Sequence, residues 1–190
     1  MTLKTITTAL PEVIVFEPDI FTDKRGFFME LYHSEKYNEL GLTASFVQDN
    51  FSRSSRGTLR GLHYQLDHPQ GKLVCVMQGE VFDVAVDIRR GSPGFGRWVG
   101  QVLSANNRRQ MFVPEGFAHG FCVLSETADF LYKCTDVYHP EDDRGINCLD
   151  AALDIDWPIQ APLLSEKDAA LPLVHDVPAE QLPTHRKPAP

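Results

Sequence analysis

Short apolar runs alternate with turn residues along most of the chain. Runs rich in Val, Phe, Leu and Tyr recur between Gly, Pro and Asp, a spacing that favours strands over helices. The predicted strands are residues 13–16, 26–31, 44–51, 59–65, 72–78, 80–88, 96–103, 109–113, 119–123 and 128–134. We therefore expect an all-β protein.

The strand predicted at residues 80–88 has two unlike faces. One face is wholly apolar and consists of Phe82, Val84, Val86 and Ile88. The opposite face carries Asp83 and Asp87 together with Val81 and Ala85. Since alternate residues of a strand point to opposite sides of the sheet, we expect the aspartate face to border a polar cavity or solvent.

Helix is predicted to be a minor component. Ser34 can cap a short helix that ends at Gly41, and Ser165 followed by Asp168 has the spacing of a capping box. From about residue 178 the chain is rich in proline and polar residues. Because no repeat or linker divides the 190 residues, we expect one domain over 1–190 with a C-terminal tail.

Composition excludes several classes of partner. A formal charge of -8 argues against broad binding to nucleic acid or to an anionic membrane. The first residues lack the apolar core of a signal peptide, and no apolar run approaches the ~20 residues of a membrane span. We expect a cytoplasmic protein. Its four cysteines show no Cys-x-x-Cys spacing, so buried free thiols are expected rather than sulfur ligands for a metal.

Two segments in the middle of the chain resemble the motifs of the cupin barrel family. The first spans 57–65 and ends His63-Tyr-Gln65, and the second spans 114–119 and ends at His119. Metal-binding cupins end the first motif with His-x-His, which puts two imidazoles on one face of a strand. Here Gln65 takes the second position, and the downstream glutamate is not obvious. The resemblance implies a jelly-roll barrel, the double-stranded β-helix of cupins, with no metal and no cofactor.

A wider set of segments forms a more specific pattern across nearly the whole chain. They are residues 23–30, 48–52, 59–65, 71–74, 113–121, 132–135 and 164–168. Together they resemble the dTDP-4-dehydrorhamnose 3,5-epimerase family. The resemblance implies an isomerase of dTDP-L-rhamnose biosynthesis that inverts C3 and C5 of dTDP-4-dehydro-6-deoxy-D-glucose to give dTDP-4-dehydro-L-rhamnose.

The implied chemistry gives a role to several side chains of these motifs. Both carbons lie alpha to the C4 ketone, so a base such as His63, with a pKa of roughly 6.5, can generate an enolate at neutral pH. Lys72 would stabilise the enolate oxygen in a dry pocket. Tyr132, with a pKa near ~10, would return a proton from the opposite face. Tyr138 is the rival donor.

A carboxylate that holds the second nitrogen of the base would fix its tautomer. The family pattern assigns this role to Asp168, and Asp83 is the alternative. The spacing of Asp168 from Ser165 also fits a simple helix cap. A lone strand histidine is usually structural, but His63 lies among polar residues that a plain core would not tolerate.

The resemblance also implies a set of substrate contacts. For the diphosphate they are Arg25, Arg60 and Lys167; for the nucleotide they are Glu30, Gln48, Asp49 and Asn50; Lys72, His119 and Asp143 complete the set. Asp49 and Asn50 would otherwise be turn residues, and Asp143 part of a solvated acidic run. Family members pair as dimers, and an N-terminal strand that carries Arg25 and Glu30 to a neighbour would suit an edge-closing barrel.

Four functional hypotheses remain open from the sequence. A 3,5-epimerase predicts exchange of sugar protons with solvent. A single-site epimerase, acting at C3 or C5 of a related dTDP-4-keto-6-deoxysugar, differs from it only in ring placement, which residue identities do not reveal. A metal-dependent cupin oxygenase or isomerase predicts bound iron, manganese or zinc. A non-catalytic sugar-nucleotide binding module predicts affinity without turnover.

Overall fold

The computed structural model describes residues 2–185. Within that range the strands are β1 (Leu3–Ile6), β2 (Ile14–Pro18), β3 (Ile20–Asp23), β4 (Gly26–Met29), β5 (Gln48–Ser55), β6 (Leu59–Gln65), β7 (Lys72–Gln78), β8 (Glu80–Asp87), β9 (Trp98–Ser104), β10 (Gln110–Val113), β11 (Phe117–Val123), β12 (Thr127–Cys134) and β13 (Asp143–Gly145). The helices described are α1 (Ser34–Glu39), α2 (Glu166–Ala169) and the 3-10 turns Pro140–Asp142 and Ala179–Gln181. The prediction of an all-β protein with little helix is confirmed.

Two antiparallel sheets build a cupin-type jelly-roll barrel. The six-stranded sheet has the order β1-β2-β10-β7-β12-β5, and the five-stranded sheet has the order β13-β6-β11-β8-β9. Strands β3 and β4 form a separate hairpin whose residues are mostly exposed. Because neighbouring strands come from distant parts of the sequence, residues of several motifs meet inside the barrel.

Apolar side chains from both sheets fill the space between them. Val15 and Val74 come from the six-stranded sheet, and Phe117 and Phe121 come from the five-stranded sheet. A second cluster lies between the five-stranded sheet and the C-terminal segment, and Leu182 belongs to it. Full burial of such a side chain contributes about 1.5–3 kcal/mol, so the polar site described below sits in a well-packed frame.

Both faces of β8 are buried. Its wholly apolar face packs with the second cluster, while Val81 and Ala85 belong to the cluster between the sheets. Asp83 and Asp87 are both 0% exposed, so the solvent-facing alternative for the aspartate face is wrong. Asp87 forms an ion pair with Arg89 at 2.8 Å, and Asp83 lies beside the cavity described below.

All ten predicted strands overlap observed strands, and the main shift concerns the one predicted at 44–51. Its ladder with β12 runs from Gln48 to Ser55, because Ala44 and Phe46 pack instead with a third cluster around Tyr37. Strands β1, β3 and β13 were not predicted. They have only three or four residues each, too few for a clear alternation.

The two helix predictions have different outcomes. The cap of α2 is confirmed, because the Asp168 backbone N–H donates to Ser165 Oγ at 3.0 Å. The cap of α1 is wrong: Ser34 is the first helical residue, and the N-cap position belongs to His33, which makes no side-chain capping bond. All four cysteines are free and buried, as predicted.

The predicted C-terminal tail lies against the barrel as far as residue 185. Leu182 is buried, and the Arg90 backbone N–H donates to the Pro183 carbonyl at 2.7 Å. The end of the predicted tail, residues 186–190, lies outside the described residues. Among residues 2–185, no helix combines the length and apolar character that crossing a membrane requires.

Candidate active site

Two adjoining cavities open inside the barrel and share their central residues. The first has a volume of about 310 Å³ and the second about 350 Å³. His63, Lys72 and Tyr132 line both of them. The first cavity is also lined by Arg60, His119, Lys167 and Asp168. The second is also lined by Gln48, Asn50, Tyr138 and Asp143.

His63 stands on β6 and is held by a carboxylate from the C-terminal segment. Its Nε2 lies 2.6 Å from Asp168 Oδ1. Burial alone would raise the pKa of Asp168, but hydrogen bonds from His63, Ser165 and Gly61, together with the charge of His63, lower the pKa below its usual value. An ionised Asp168 accepts a hydrogen bond from Nε2–H, so Nδ1 is left as the basic nitrogen of His63.

A second histidine–carboxylate pair lies next to the first. His119 on β11 is directly opposite His63 on β6, and its Nε2 lies 2.9 Å from Asp83 Oδ1. The His119 ring also stacks on Phe130, with ring centroids 6.2 Å apart. The two alternative carboxylates therefore serve different rings: Asp168 contacts His63, and Asp83 contacts His119.

Lys72 begins β7, between β10 and β12 in the six-stranded sheet. Desolvation lowers the pKa of its ammonium group, although Cys134, Asp143 and Asp83 act in the opposite direction. A cation in this position has lost much of its hydration. It would therefore interact strongly with negative charge that develops in the cavity.

The two candidate tyrosines differ in their surroundings. Burial raises the pKa of Tyr132, which stands on β12 and lines both cavities. Tyr138 lines only the second cavity, and its hydroxyl donates to Asp143 Oδ2 at 2.8 Å. That bond raises the pKa of Tyr138 and engages its proton with a carboxylate of the second cavity.

The base and the candidate acid come from opposite sides of the barrel. His63 belongs to the five-stranded sheet, while Lys72 and Tyr132 belong to the six-stranded sheet. All three line the junction of the cavities. A small ring at this junction would therefore meet an imidazole on one face and a phenol on the other.

Cationic and amide groups surround this centre. Arg60 Nε donates to Ser54 Oγ at 3.1 Å, and Lys167 forms an ion pair with Asp143. Gln48 Nε2 donates to Asn50 Oδ1 at 3.0 Å. These residues bring donors for an anionic ligand to the first cavity and amides to the second.

Three residues of the predicted contact set lie elsewhere. Arg25 projects from the β3–β4 hairpin and pairs with Asp23 at 2.6 Å. Glu30 pairs with Lys36 at 2.6 Å, and Asp49 lies on the opposite face of β5 from its neighbours. The structure of one chain does not bring these three to the cavities.

The barrel residues do not fit the metal site of a cupin. The Lys72 ammonium lines the same cavity as His63 and His119, and a fixed positive charge beside these rings opposes the binding of a metal cation. The Gln65 amide points to backbone groups, since Nε2 donates to the His68 carbonyl at 2.7 Å. This set provides proton donors and acceptors rather than converging metal ligands.

Sequence reasoning missed part of the cavity wall. Phe121 and Phe130 line the first cavity and stack at a centroid distance of 4.1 Å. Ser52 and Ser165 add hydroxyls. Strand alternation was the available signal, because Phe130 lies two residues before Tyr132 on β12 and so shares its face.

The protein is thus a cupin-type barrel whose cavity brings together two histidines, a lysine and a tyrosine. These groups can carry out acid–base chemistry on a small ligand. A family model described as dTDP-4-dehydrorhamnose 3,5-epimerase matches residues 7–176. The chain belongs to this family.

Individual relatives match over most of their length. The dTDP-4-dehydrorhamnose 3,5-epimerase of Pseudomonas aeruginosa is 62% identical over 168 residues, which cover 87% of this chain and 93% of that one. The crystal structure of dTDP-6-deoxy-D-glucose-3,5-epimerase RmlC from Legionella pneumophila, in complex with dTDP-4-keto-L-rhamnose, matches with a TM-score of 0.95 and 56% identity, covering 97% of this chain and 100% of that one. ChmJ, a 3'-monoepimerase from Streptomyces bikiniensis in complex with dTDP-quinovose, matches with a TM-score of 0.87 and 33% identity, covering 94% and 92%.

Proposed function

We propose that this chain is a dTDP-4-dehydrorhamnose 3,5-epimerase, which converts dTDP-4-dehydro-6-deoxy-D-glucose to dTDP-4-dehydro-L-rhamnose. One observation carries the proposal: His63, Lys72 and Tyr132 line the junction of the two cavities and come from facing sheets. Inversion of a carbon needs a base on one face of the ring and an acid on the other. The arrangement supplies both.

His63 removes the proton from C3 or C5 in this proposal. The electrons of the C–H bond form a carbon–carbon double bond, and the C4 oxygen becomes an enolate. The Asp168 hydrogen bond of 2.6 Å supports the role, because it keeps the proton on Nε2 and stabilises the imidazolium that forms.

Lys72 stabilises the enolate oxygen. Its lowered pKa reflects lost hydration, so an enolate replaces solvation that the ammonium lacks in the ground state. The interaction is therefore stronger with the enolate than with the neutral ketone, which is the condition for lowering the barrier.

Tyr132 returns a proton to the same carbon from the opposite face. Its raised pKa keeps the phenol protonated at neutral pH, and an enolate is basic enough to accept that proton. The step leaves an imidazolium and a phenolate, and proton exchange with water restores both before the second inversion. Hydrogen at C3 and C5 should consequently come from solvent.

Substrate contacts follow from the groups around the centre. Arg60 and Lys167 bind the diphosphate, His119 contacts the sugar region, and the amides of Gln48 and Asn50 contact the nucleotide. Asp143 positions Lys167, with which it is paired.

Arg25 and Glu30 can contact substrate if the protein is a homodimer. The exposed β3–β4 hairpin carries Arg25, with Glu30 just beyond it, and exposes Phe27 and Phe28 by 53% and 61%. Docking on a second copy would cover these rings and bring Arg25, Glu30 or both to a partner cavity. Sedimentation velocity of the wild type and of Phe28→Asp tests this, with a dimer expected only for the wild type. The cytoplasmic location remains a prediction.

Deuterium incorporation tests the proposed reaction. NMR of dTDP-4-dehydro-6-deoxy-D-glucose with metal-stripped protein in deuterated water should show label at C3 and at C5. His63→Asn should abolish it, whereas His175→Asn, a matched change at a 64% exposed side chain, should not. Label at one carbon alone would instead favour a single-site epimerase, and binding without label would favour a binding module. Recovery only after metal is added would favour a metal-dependent cupin.

A further inference from the structure

A second group of titratable side chains lies outside both cavities. It consists of His68, Asp136 and His139, whose ligand atoms lie within 4.8 Å of one another. The two imidazole rings stack with centroids 3.7 Å apart and an interplanar angle of 12°. His68 Nδ1 lies 3.9 Å from Asp136 Oδ2. Two imidazole nitrogens and a carboxylate oxygen are a ligand set that zinc accepts.

One buried amide fixes the backbones of both histidines. Gln65 is 5% exposed. Its Nε2 donates to the His68 carbonyl at 2.7 Å, and its Oε1 accepts from the His139 backbone N–H at 2.8 Å. The two imidazoles are thus attached to segments that a single core side chain holds together.

The remaining backbone groups of the cluster are anchored too. Asp142, which is 3% exposed, accepts from the His68 backbone N–H at 2.8 Å. Gln70 Nε2 donates to the Asp136 carbonyl at 2.8 Å. Backbone segments held this way lose little conformational freedom when the side chains they carry bind an ion, which favours affinity.

We propose that His68, Asp136 and His139 form a surface binding site for a zinc ion. Zinc bonds of about 2.0–2.2 Å separate tetrahedral ligands by about 3.4 Å, so the His68–Asp136 pair has to close by about half an ångström. One of the two stacked rings also has to turn out of the parallel arrangement, because a metal lies in the plane of each imidazole that binds it. Glu141 Oε1 lies 3.3 Å from His139 Nδ1, the kind of carboxylate contact that orients a metal-ligating histidine. Solvent takes the remaining position.

The site would cross-link two segments beside the second cavity. His68 lies between Gln65 and Gln70, and Tyr138 lies between Asp136 and His139; Gln65, Gln70 and Tyr138 all line that cavity. A bound zinc ion would fasten these segments from outside. The site is separate from the proposed acid–base residues, so zinc binding and epimerisation can be tested independently.

Competition with a chromophoric zinc chelator measures the site directly. The wild type should bind one zinc ion per chain, and His68→Asn and His139→Asn should each lower the affinity at least about tenfold. His175→Asn is the control, because its exposed imidazole lies beside Asp176, at 3.5 Å, and outside the proposed site. This variant should bind zinc like the wild type. Zinc should raise the Tm of the wild type and the control but not of the two site variants, whose Tm without metal should match the wild type.

Other outcomes would overturn the zinc site. Unchanged affinity in His68→Asn and His139→Asn would show that zinc does not bind there. Loss of binding on His63→Asn with no loss on His68→Asn would assign the ion to the cavity instead. Thiolate charge-transfer bands on substitution with cobalt would assign it to cysteine.

Discussion

His63 and His119 are opposite each other on adjacent strands and each contacts an aspartate, yet their surroundings differ. The His63 side chain is 30% exposed and that of His119 is 8% exposed. The partner of His63 is Asp168, on a short helix 105 residues further along the chain. The partner of His119 is Asp83, on the neighbouring strand β8 inside the barrel.

The difference indicates that a histidine–aspartate pair takes its role from access to the cavity rather than from its own chemistry. His63 lines both cavities, so its ring can take a proton from a ligand and release it to water. His119 is buried against Phe130 and lines only one cavity. We therefore expect His63 to act as the base and His119 to bind substrate.

Replacing each histidine in turn should separate these roles most clearly. His63→Asn should lower kcat by about 10³–10⁴-fold, because it removes the base. His119→Asn should mainly raise KM, by about tenfold, because it removes one substrate contact. Steady-state kinetics coupled to product reduction measures both. Equal losses of kcat in the two variants would remove the distinction between the pairs.

Removing the proposed acid should leave proton abstraction by His63 intact while it slows the return of a proton from the opposite face. Tyr132→Phe should lower the rate of inversion by about 10²–10³-fold, while exchange of substrate protons with deuterated water continues, since the base is intact. Tyr138→Phe is the matched control and should change the inversion rate by no more than a few-fold. NMR that follows label and configuration together measures both. If Tyr138→Phe gave the larger loss of inversion, Tyr138 would replace Tyr132 as the acid.

Replacing Asp168 and Asp83 should also show that the His63 pair affects kcat more than the His119 pair does, with smaller effects than replacing the histidines. Asp168→Asn should lower kcat by about 10²-fold, because an amide can donate to Nε2 and shift the proton to Nδ1, the wrong tautomer for a base. The pH profile of kcat should move with it. Asp83→Asn should leave kcat within a few-fold and lower the Tm, because Asp83 is 0% exposed and its bond to His119 is internal. A larger loss of kcat in Asp83→Asn would contradict the assignment.

Much of the fold and of the cavity wall could be predicted because the signals are local. His63, Lys72 and Tyr132 lie in strand motifs that keep their pattern of alternation, and the ladder registers bring these strands together. Alternation also separates the predicted nucleotide contacts: Gln48 and Asn50 share one face of β5, and Asp49 must point away from them. In the structure Asp49 pairs with Lys133 at 2.8 Å.

The choice between carboxylates could not be made from local pattern. Asp168 reaches His63 only because the C-terminal segment packs across the five-stranded sheet, through contacts that span much of the sequence. The hairpin residues Arg25 and Glu30 present a similar problem, since their proposed role depends on a second chain. Long-range packing decides which carboxylate contacts His63, and assembly decides whether the hairpin residues reach a cavity. Neither produces a pattern of alternating residues that could be detected in the sequence.

The smallest expected effect concerns stability at low pH, and it tests the His63–Asp168 pair. Asp168 has a pKa below its usual value in the folded protein, because His63, Ser165 and Gly61 outweigh the effect of burial. A lowered folded pKa contributes stability at pH values above the unfolded pKa, and this contribution is lost as the pH falls through the folded pKa. Asp168→Asn should therefore lower the free energy of unfolding by about 1–3 kcal/mol near neutral pH, and the deficit should shrink below about pH 4. Urea unfolding of the wild type and of Asp168→Asn from pH 3 to pH 7 measures this loss of stability. Ser165→Ala is the control. It should lower the free energy of unfolding by about 1 kcal/mol through the lost cap, and this loss should depend less on pH. A deficit for Asp168→Asn that stays constant over this range would mean that Asp168 stabilises the fold by packing and not as an ionised partner of His63.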